Sequence, residues 1–342
     1  MEKCKLCNTR DADKKGSHIV PHLLLKRIEN IEGKTGRDYE LGFTIEKHNV
    51  SSHFGRSVQP ERLEKTYGEV TDDDVAKNKH PLIVDNFFCS FCEDRLAIIE
   101  NEYSKTINKI GEDEYESGVK TSIGILFWGS ILWRMSINGK SGVKLSHEQN
   151  EKLRNILDAF LPNKIENLDD NLLLKSDFIK QTSYKLLRFN DRKDDDATWL
   201  VFHPRFFKTS CLFIDEYILA FSLNDDYDEL SKLDCFEANE LIIQAPKNKI
   251  GGDEVIKSFD RSDFTRIRKI IVNKVKDTYL GGVNEFLDKL HVEIGGQGSK
   301  MPDEIKYEII SELASEEKKL GRKYTQKELA ESTFKILKKY AP

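Results

Sequence analysis

Two cysteine pairs carry the clearest chemistry in this sequence. Cys4-Lys5-Leu6-Cys7 and Cys89-Ser90-Phe91-Cys92 both have the C-x2-C spacing. At that spacing two thiolates sit on one tight knuckle and reach a common metal at about 2.3 Å. Two such knuckles complete a closed tetrahedral site, so Cys4, Cys7, Cys89 and Cys92 are the candidate ligands of a structural Zn²⁺. The pairs are 81 residues apart, wider than a zinc ribbon, which leaves separate sites or a redox pair as alternatives. A thioredoxin-like pair needs a preceding strand in a βαβ unit, and nothing around Cys4 supplies one. Cys211 and Cys235 lie in apolar or strand-like surroundings and read as ordinary core or surface thiols.

A histidine stands between the knuckles, in Gly16-Ser17-His18-Ile19-Val20-Pro21-His22. His18 opens a short apolar segment that Pro21 ends. An acid, Glu93, follows Cys92 directly, on what the later spacing makes the first turn of a helix. A neutral imidazole near pH 7 is suited to taking a proton from water. A carboxylate is a suitable ligand for Mg²⁺ or Mn²⁺. A closed Cys4 zinc keeps no open position, so a hydrolytic metal would be a second ion with a different task.

Cys-x2-Cys, then a polar residue with His-Ile-x-Pro, then Cys-x2-Cys-Glu entering a helix, resembles the HNH (ββα-metal) endonucleases. It is closest to a zinc-knuckle bacterial subgroup with Ser-His-Ile-x-Pro and Cys-x2-Cys-Glu. The resemblance covers roughly residues 4 to 105. It implies that His18 is the general base and that a catalytic Mg²⁺ or Mn²⁺ is held by a residue beside His18 and by one on the helix, here Glu93. Ser17 stands where the family carries Asp, Glu or His, and Glu93 where it carries His or Asn. His22 and Asp85 are candidates for a replacing ligand. The resemblance also implies DNA as the partner and restriction or phage defence as the setting. A second copy of the chain or a defence-system protein is a further partner to consider. Arg56, after Phe54-Gly55, is a candidate phosphate contact.

These side chains need elements to place them. Leu96, Ile99, Tyr103, Ile107 and Ile110 recur every three to four residues and predict an amphipathic helix beginning at or just before Cys92. Tyr39 to Ile45 alternates as a strand, inside a polar stretch of short strands and loops from 30 to 80. Residues 120 to 138 read as a mostly buried helix, with Trp128, Trp133 and Arg134 assigned to core packing. Glu148 to Phe160 reads as another helix. Apolar runs at Trp199–Pro204, Cys211–Ile214, Tyr217–Ser222 and Leu241–Gln244 predict strands. Gly281-Gly282 and Gly295-Gly296-Gln297-Gly298 suggest hinges or linkers. Asp303 to Tyr340 is helical with a break at Leu320-Gly321, and Thr325 with Glu328 forms a capping box for the last helix.

The fold class expected is α+β. A treble-clef, ββα-metal domain with the Cys4 site is placed at 1–110. A mixed α+β regulatory or recognition domain is placed at 111–295, and a helical segment at 296–342. Composition agrees with a folded chain: 342 residues with 19 Phe, 11 Tyr and 3 Trp fill a sizeable core. The longest apolar run, Ile123 to Leu132, falls short of a membrane span, and the opening Met-Glu-Lys-Cys-Lys has no apolar stretch behind it, so a cytoplasmic protein with no membrane partner is expected. A net charge of -5 excludes a globally basic nucleic-acid binder. From Lys247 to Lys276, however, nine Lys/Arg face four Asp/Glu. The functional expectation is a metal-dependent endonuclease acting on DNA. The alternative is a non-catalytic, zinc-stabilised module that binds nucleic acid or protein, and a redox or metal-sensing role is a third option.

Overall fold

The computed structural model describes residues 2–25, 41–45, 50–55, 57–67, 70–78, 80–139, 143–191, 200–202, 209–228, 236–320 and 326–340. In chain order its elements are β1 (Ser17–His18), α1 (His22–Leu25), β2 (Leu41–Ile45), β3 (Val50–Phe54), α2 (Pro60–Tyr67), α3 (Asp72–Lys77), β4 (Ile83–Val84) and α4 (Ser90–Tyr103). Then come β5 (Glu114–Lys120), α5 (Thr121–Asn138), α6 (His147–Phe160), α7 (Asp170–Leu173), α8 (Asp177–Gln181), β6 (Ser183–Phe189), β7 (Leu200–Phe202), β8 (Thr209–Ile214) and β9 (Tyr217–Ser222). The chain closes with α9 (Asn239–Gln244), β10 (Asn248–Lys249), β11 (Asp253–Phe259), α10 (Arg261–Glu293), α11 (Asp303–Leu320) and α12 (Gln326–Leu337). Among the described residues no helix is long and apolar enough to cross a membrane.

The chain divides into two compact units, 1–28 with 80–271, and 29–79 with 272–342. The boundary expected at residue 110 therefore falls inside the first unit. That unit is built on a seven-stranded mixed sheet of order β5-β11-β6-β9-β8-β7, with β10 also on β6. The β11–β6 pair is parallel, Lys257 opposite Leu187, and the other pairs are antiparallel. Every residue of β6 and β9 is buried, as expected of central strands covered on both faces. Helix α5 is buried from Thr121 to Met135. It ends at Gly139, whose φ of 68° takes the left-handed C-cap that a side chain disfavours. Ser146 and Gln149 form the reciprocal capping box that starts α6.

Inside this core sits a buried acid. Glu254 accepts from the hydroxyls of Tyr184 at 2.6 Å and Tyr103 at 3.1 Å, and Tyr103 in turn accepts from the indole of Trp128 at 2.9 Å. Burial pushes the Glu254 carboxyl above its ordinary range, against the hydroxyls that stabilise its charged form. Gly124 makes room for this network, because a Cβ there would run into the Tyr184 hydroxyl and the Glu254 carboxylate.

The second unit holds the β2–β3 hairpin, registered Leu41 opposite Phe54. The Asn78 side chain bonds both the N–H and the carbonyl of Phe54, at 3.1 and 2.8 Å. Leu287, Met301, Ile305, Ile309 and Ile336 form its core.

Three expected elements differ. The helix expected from Cys92 through Ile110 ends at Tyr103, and Ile110 lies exposed beyond it. Leu241–Gln244 belongs to the helix α9, not a strand; an apolar run of four residues carries no period that separates the two. Gly281-Gly282 is no hinge, since both lie inside α10, a continuous helix of 33 residues. Each glycine costs that helix about 1 kcal/mol, which the packing of Val283, Leu287 and Leu290 on the core beyond it offsets. The second glycine group does end the helix: Gly295 has φ 85° and the Gly296 N–H reaches the His291 carbonyl at 2.8 Å. The stretch from 30 to 80 contains α2 and α3 beside its hairpin, helices too short and polar to show an apolar period. Arg56, Cys235, Gly321 and Thr325 lie outside the described residues.

Candidate functional site

The four cysteines converge. Their sulfurs lie within 4.8 Å of one another, and Cys7 Sγ is 4.0 Å from Cys89 Sγ. Sulfurs around a zinc at about 2.3 Å stand roughly 3.8 Å apart, so this cluster can hold a metal ion such as zinc. Cys4, Cys89 and Cys92 are buried and Cys7 is half-buried. A hydrogen bond from Cys92 lowers Cys4 to about 4, and the same contact together with burial raises Cys92 far above an ordinary thiol. Four sulfurs this close and this buried form a donor set that a metal cation would satisfy.

Local backbone chemistry brings the knuckles together. Asn8 takes φ 55° and its N–H closes the first turn on the Cys4 carbonyl at 2.9 Å. Asn, with its short polar side chain, tolerates that left-handed position. Asn86 does the same at φ 58° before the second knuckle, its N–H on the Lys14 carbonyl at 2.7 Å. The Lys5 N–H donates to the Phe87 carbonyl and the Lys14 N–H to that of Phe88, at 2.8 and 3.0 Å. Asp13 caps α4, accepting from the backbone N–H and the hydroxyl of Ser90 at 2.8 and 3.2 Å. Arg154 of α6 holds the Leu6 carbonyl at 3.1 Å, and Arg10 stacks over the Phe91 ring at 3.9 Å.

His18 lies on β1, paired antiparallel with β4 so that Ser17 faces Val84 and His18 faces Ile83. Helix α4 follows, carrying Cys92 and Glu93. Strand, strand and helix therefore share one small motif, with 19–82 as a long insertion between the strands. The Ser17 hydroxyl and the Glu93 Oε2 atom are both buried; they lie near enough for Ser17 to favour the Glu93 carboxylate, but neither makes a well-formed hydrogen bond. Burial raises the Glu93 carboxyl, the Ser17 hydroxyl, the Arg134 guanidinium and Lys14 draw it back, and Glu100 adds to the rise. Arg134 bonds Glu100 at 2.8 Å, and both lie within electrostatic reach of Glu93.

The remaining candidates fall elsewhere or have other tasks. His22 is exposed at the start of α1. Asp85 is engaged as a staple, its Oδ1 accepting from the Gly16 N–H at 2.7 Å. Among the described residues no other three His, Cys, Asp or Glu side chains bring their ligand atoms as close as the four cysteines do.

Two participants escaped the sequence. Arg134 read as core, yet a lone charge in a helix buried from Thr121 to Met135 was a signal in itself. Glu100 lies seven residues beyond Glu93, two turns along the same face of α4, and accepts from Arg134 at 2.8 Å. No protein-family model matches the chain, and comparison with curated proteins and with solved structures finds no match either.

Proposed function

We propose that this chain is a metal-dependent endonuclease of the HNH (ββα-metal) type that hydrolyses DNA phosphodiester bonds, in a setting of restriction or phage defence. The observation that supports it is that His18 lies on a short antiparallel ribbon tied through Arg134 to α4, the helix that begins at the second cysteine pair and carries in its first turn Glu93 with a buried carboxylate oxygen.

His18 takes a proton from water, and the resulting oxygen attacks the phosphorus in line with the 3′-oxygen. The P–O3′ bond breaks and the leaving oxygen picks up a proton. The buried Glu93 Oε2 and Ser17 Oγ fit the needs of a hard divalent ion, which takes a carboxylate and keeps several waters. Glu93 would hold Mg²⁺ or Mn²⁺, and the ion would supply neutralisation of the charge that develops on the phosphate and leaving oxygens. The Cys4 zinc is the structural element that fixes the first turn of α4, and with it the Glu93 backbone.

A second reading has one observation in its favour. Glu93 belongs to no close-set trio of His, Cys, Asp or Glu ligand atoms among the described residues, which suits a zinc-stabilised module that binds nucleic acid without cutting it. Supercoiled plasmid separates the two. Cleavage with Mg²⁺ or Mn²⁺ that EDTA abolishes supports the nuclease; retarded but intact plasmid supports the module.

A further inference from the structure

We infer that Arg134 is a positioning residue for His18, acting from a helix 116 residues further along the chain. The inference rests on the nuclease reading of the His18 site and adds to it the part outside the zinc-knuckle segment that sets its geometry.

His18 is carried on a strand of two residues. The β1–β4 ladder has two registered pairs, extended by one bond from the Ile19 N–H to the Leu82 carbonyl at 2.9 Å. Arg134 adds an anchor at the residue that matters. Its Nη1 donates to the His18 carbonyl at 2.8 Å and to Glu100 Oε1 at 2.8 Å. Its Nε and Nη2 donate to the carbonyl and hydroxyl of Ser130, at 3.2 and 3.1 Å. One nitrogen thus ties the strand of the base to the face of α4 that carries Glu93, while the rest of the guanidinium is locked to its own helix.

The energetics point the same way. Arg134 is 2% exposed, and a guanidinium so deeply buried is costly unless its N–H groups find acceptors. The planar fork reaches several acceptors in fixed directions, which the compact ammonium of lysine does not. One turn further on, Asn138 donates to the Pro81 carbonyl at 3.0 Å, two residues before β4. The last turn of α5 therefore holds both strands of the ribbon, β1 through Arg134 and the approach to β4 through Asn138. Trp133, beside Arg134, packs on Phe88 just ahead of the second knuckle.

The test uses the full chain with Arg134→Lys, which keeps the charge and loses the fork. Three quantities are read on one preparation: kcat and KM for plasmid cleavage with Mn²⁺, zinc per chain with melting temperature, and the His18 ring signals by NMR across pH 5 to 8. The expected result is a kcat lower by about 10- to 100-fold, the scale of a misplaced reacting group. KM stays within twofold, zinc stays unchanged, and the His18 resonances and titration are displaced. Asn138→Ala carries the same test if the lysine variant does not fold, with a smaller loss in the same direction. Unchanged kcat and unchanged His18 signals would overturn the inference, as would a loss of kcat that only follows a loss of zinc. If the wild type cleaves nothing with any divalent ion, the nuclease reading fails, but the His18 signals still decide: displacement in the variant sustains the anchor, and no displacement removes it.

Discussion

Glu93 concentrates the chemistry of the site in one side chain. It sits in the first turn of the helix that begins at the second cysteine pair; Ser17, Arg134 and Lys14 favour its charge, and burial and Glu100 oppose it. Under the nuclease reading a divalent cation is the partner of its buried Oε2, which makes no well-formed hydrogen bond within the chain. Glu93→Gln keeps size and polarity and removes the charge that a hard cation needs. Titrating Mn²⁺ against the variant, by its EPR signal and by cleavage, should show affinity weakened at least tenfold, with zinc content and melting temperature nearly unchanged. A variant whose metal dependence equals the wild type would place the ion on other residues.

Glu254 offers a separate test in the core. Its carboxyl is raised by burial, so it is protonated in the fold at a pH where the unfolded chain has ionised. The stability it contributes is fully present below the unfolded value of about 4.3 and is lost as pH rises through its folded value. Glu254→Gln removes that dependence. The melting temperature of the variant relative to wild type should therefore climb from pH 5 to pH 8; a difference that stays flat would mean that Glu254 is ionised in the fold.

At the scale of elements, the helices around the site divide by how plainly they announce themselves. The period of Leu96, Ile99 and Tyr103 placed α4 on the second knuckle, because an amphipathic face repeats at 3.6 residues. Helix α5 was legible from its apolar length, but not its task, since hydrogen bonds from Arg134 to a strand far back in the chain leave no periodic trace. Strands β5 and β11, polar and half-exposed, were missed for a similar reason: Glu114–Lys120 alternates weakly, and its pairing with Asp253–Phe259 is set by the sheet. The four cysteines were legible because metal geometry demands a spacing. Ser17 was visible as a departure, but its burial near Glu93 belongs to the folded chain alone.

Gly124 tests the packing of α5 against the sheet. Alanine normally favours a helix by about 1 kcal/mol over glycine, but here the added methyl meets the Tyr184 hydroxyl and the Glu254 carboxylate. Gly124→Ala should destabilise by about 1–3 kcal/mol in urea unfolding, the usual cost of overpacking. A stabilised variant would show that the core yields at that point.

For the molecule as a whole, the zinc-knuckle segment is not self-contained. Its knuckles, ribbon and helix share a core with α5 and α6, and Arg134, Asn138, Arg154 and Arg95 each cross to or from it. One zinc per chain is expected, and binding energy at such a site is folding energy. Cys89→Ser should therefore lose the metal and lower the melting temperature of the unit formed by 1–28 and 80–271, beyond the segment around the cysteines. Metal analysis with calorimetry checks this; a variant that keeps its zinc, or melts like the wild type without it, would contradict the role given to the cluster.

If His18 is the base of a metal-dependent hydrolysis, the rate of plasmid cleavage by His18→Ala and wild type at equal zinc content, with Mg²⁺ or Mn²⁺ supplied, tests it most directly. The wild type should cut, EDTA should stop it, and the alanine variant should be slower by about 10²–10⁴-fold, the usual contribution of a general base. A variant that cuts at the wild-type rate, or a wild type that leaves DNA intact with every divalent ion, would contradict it.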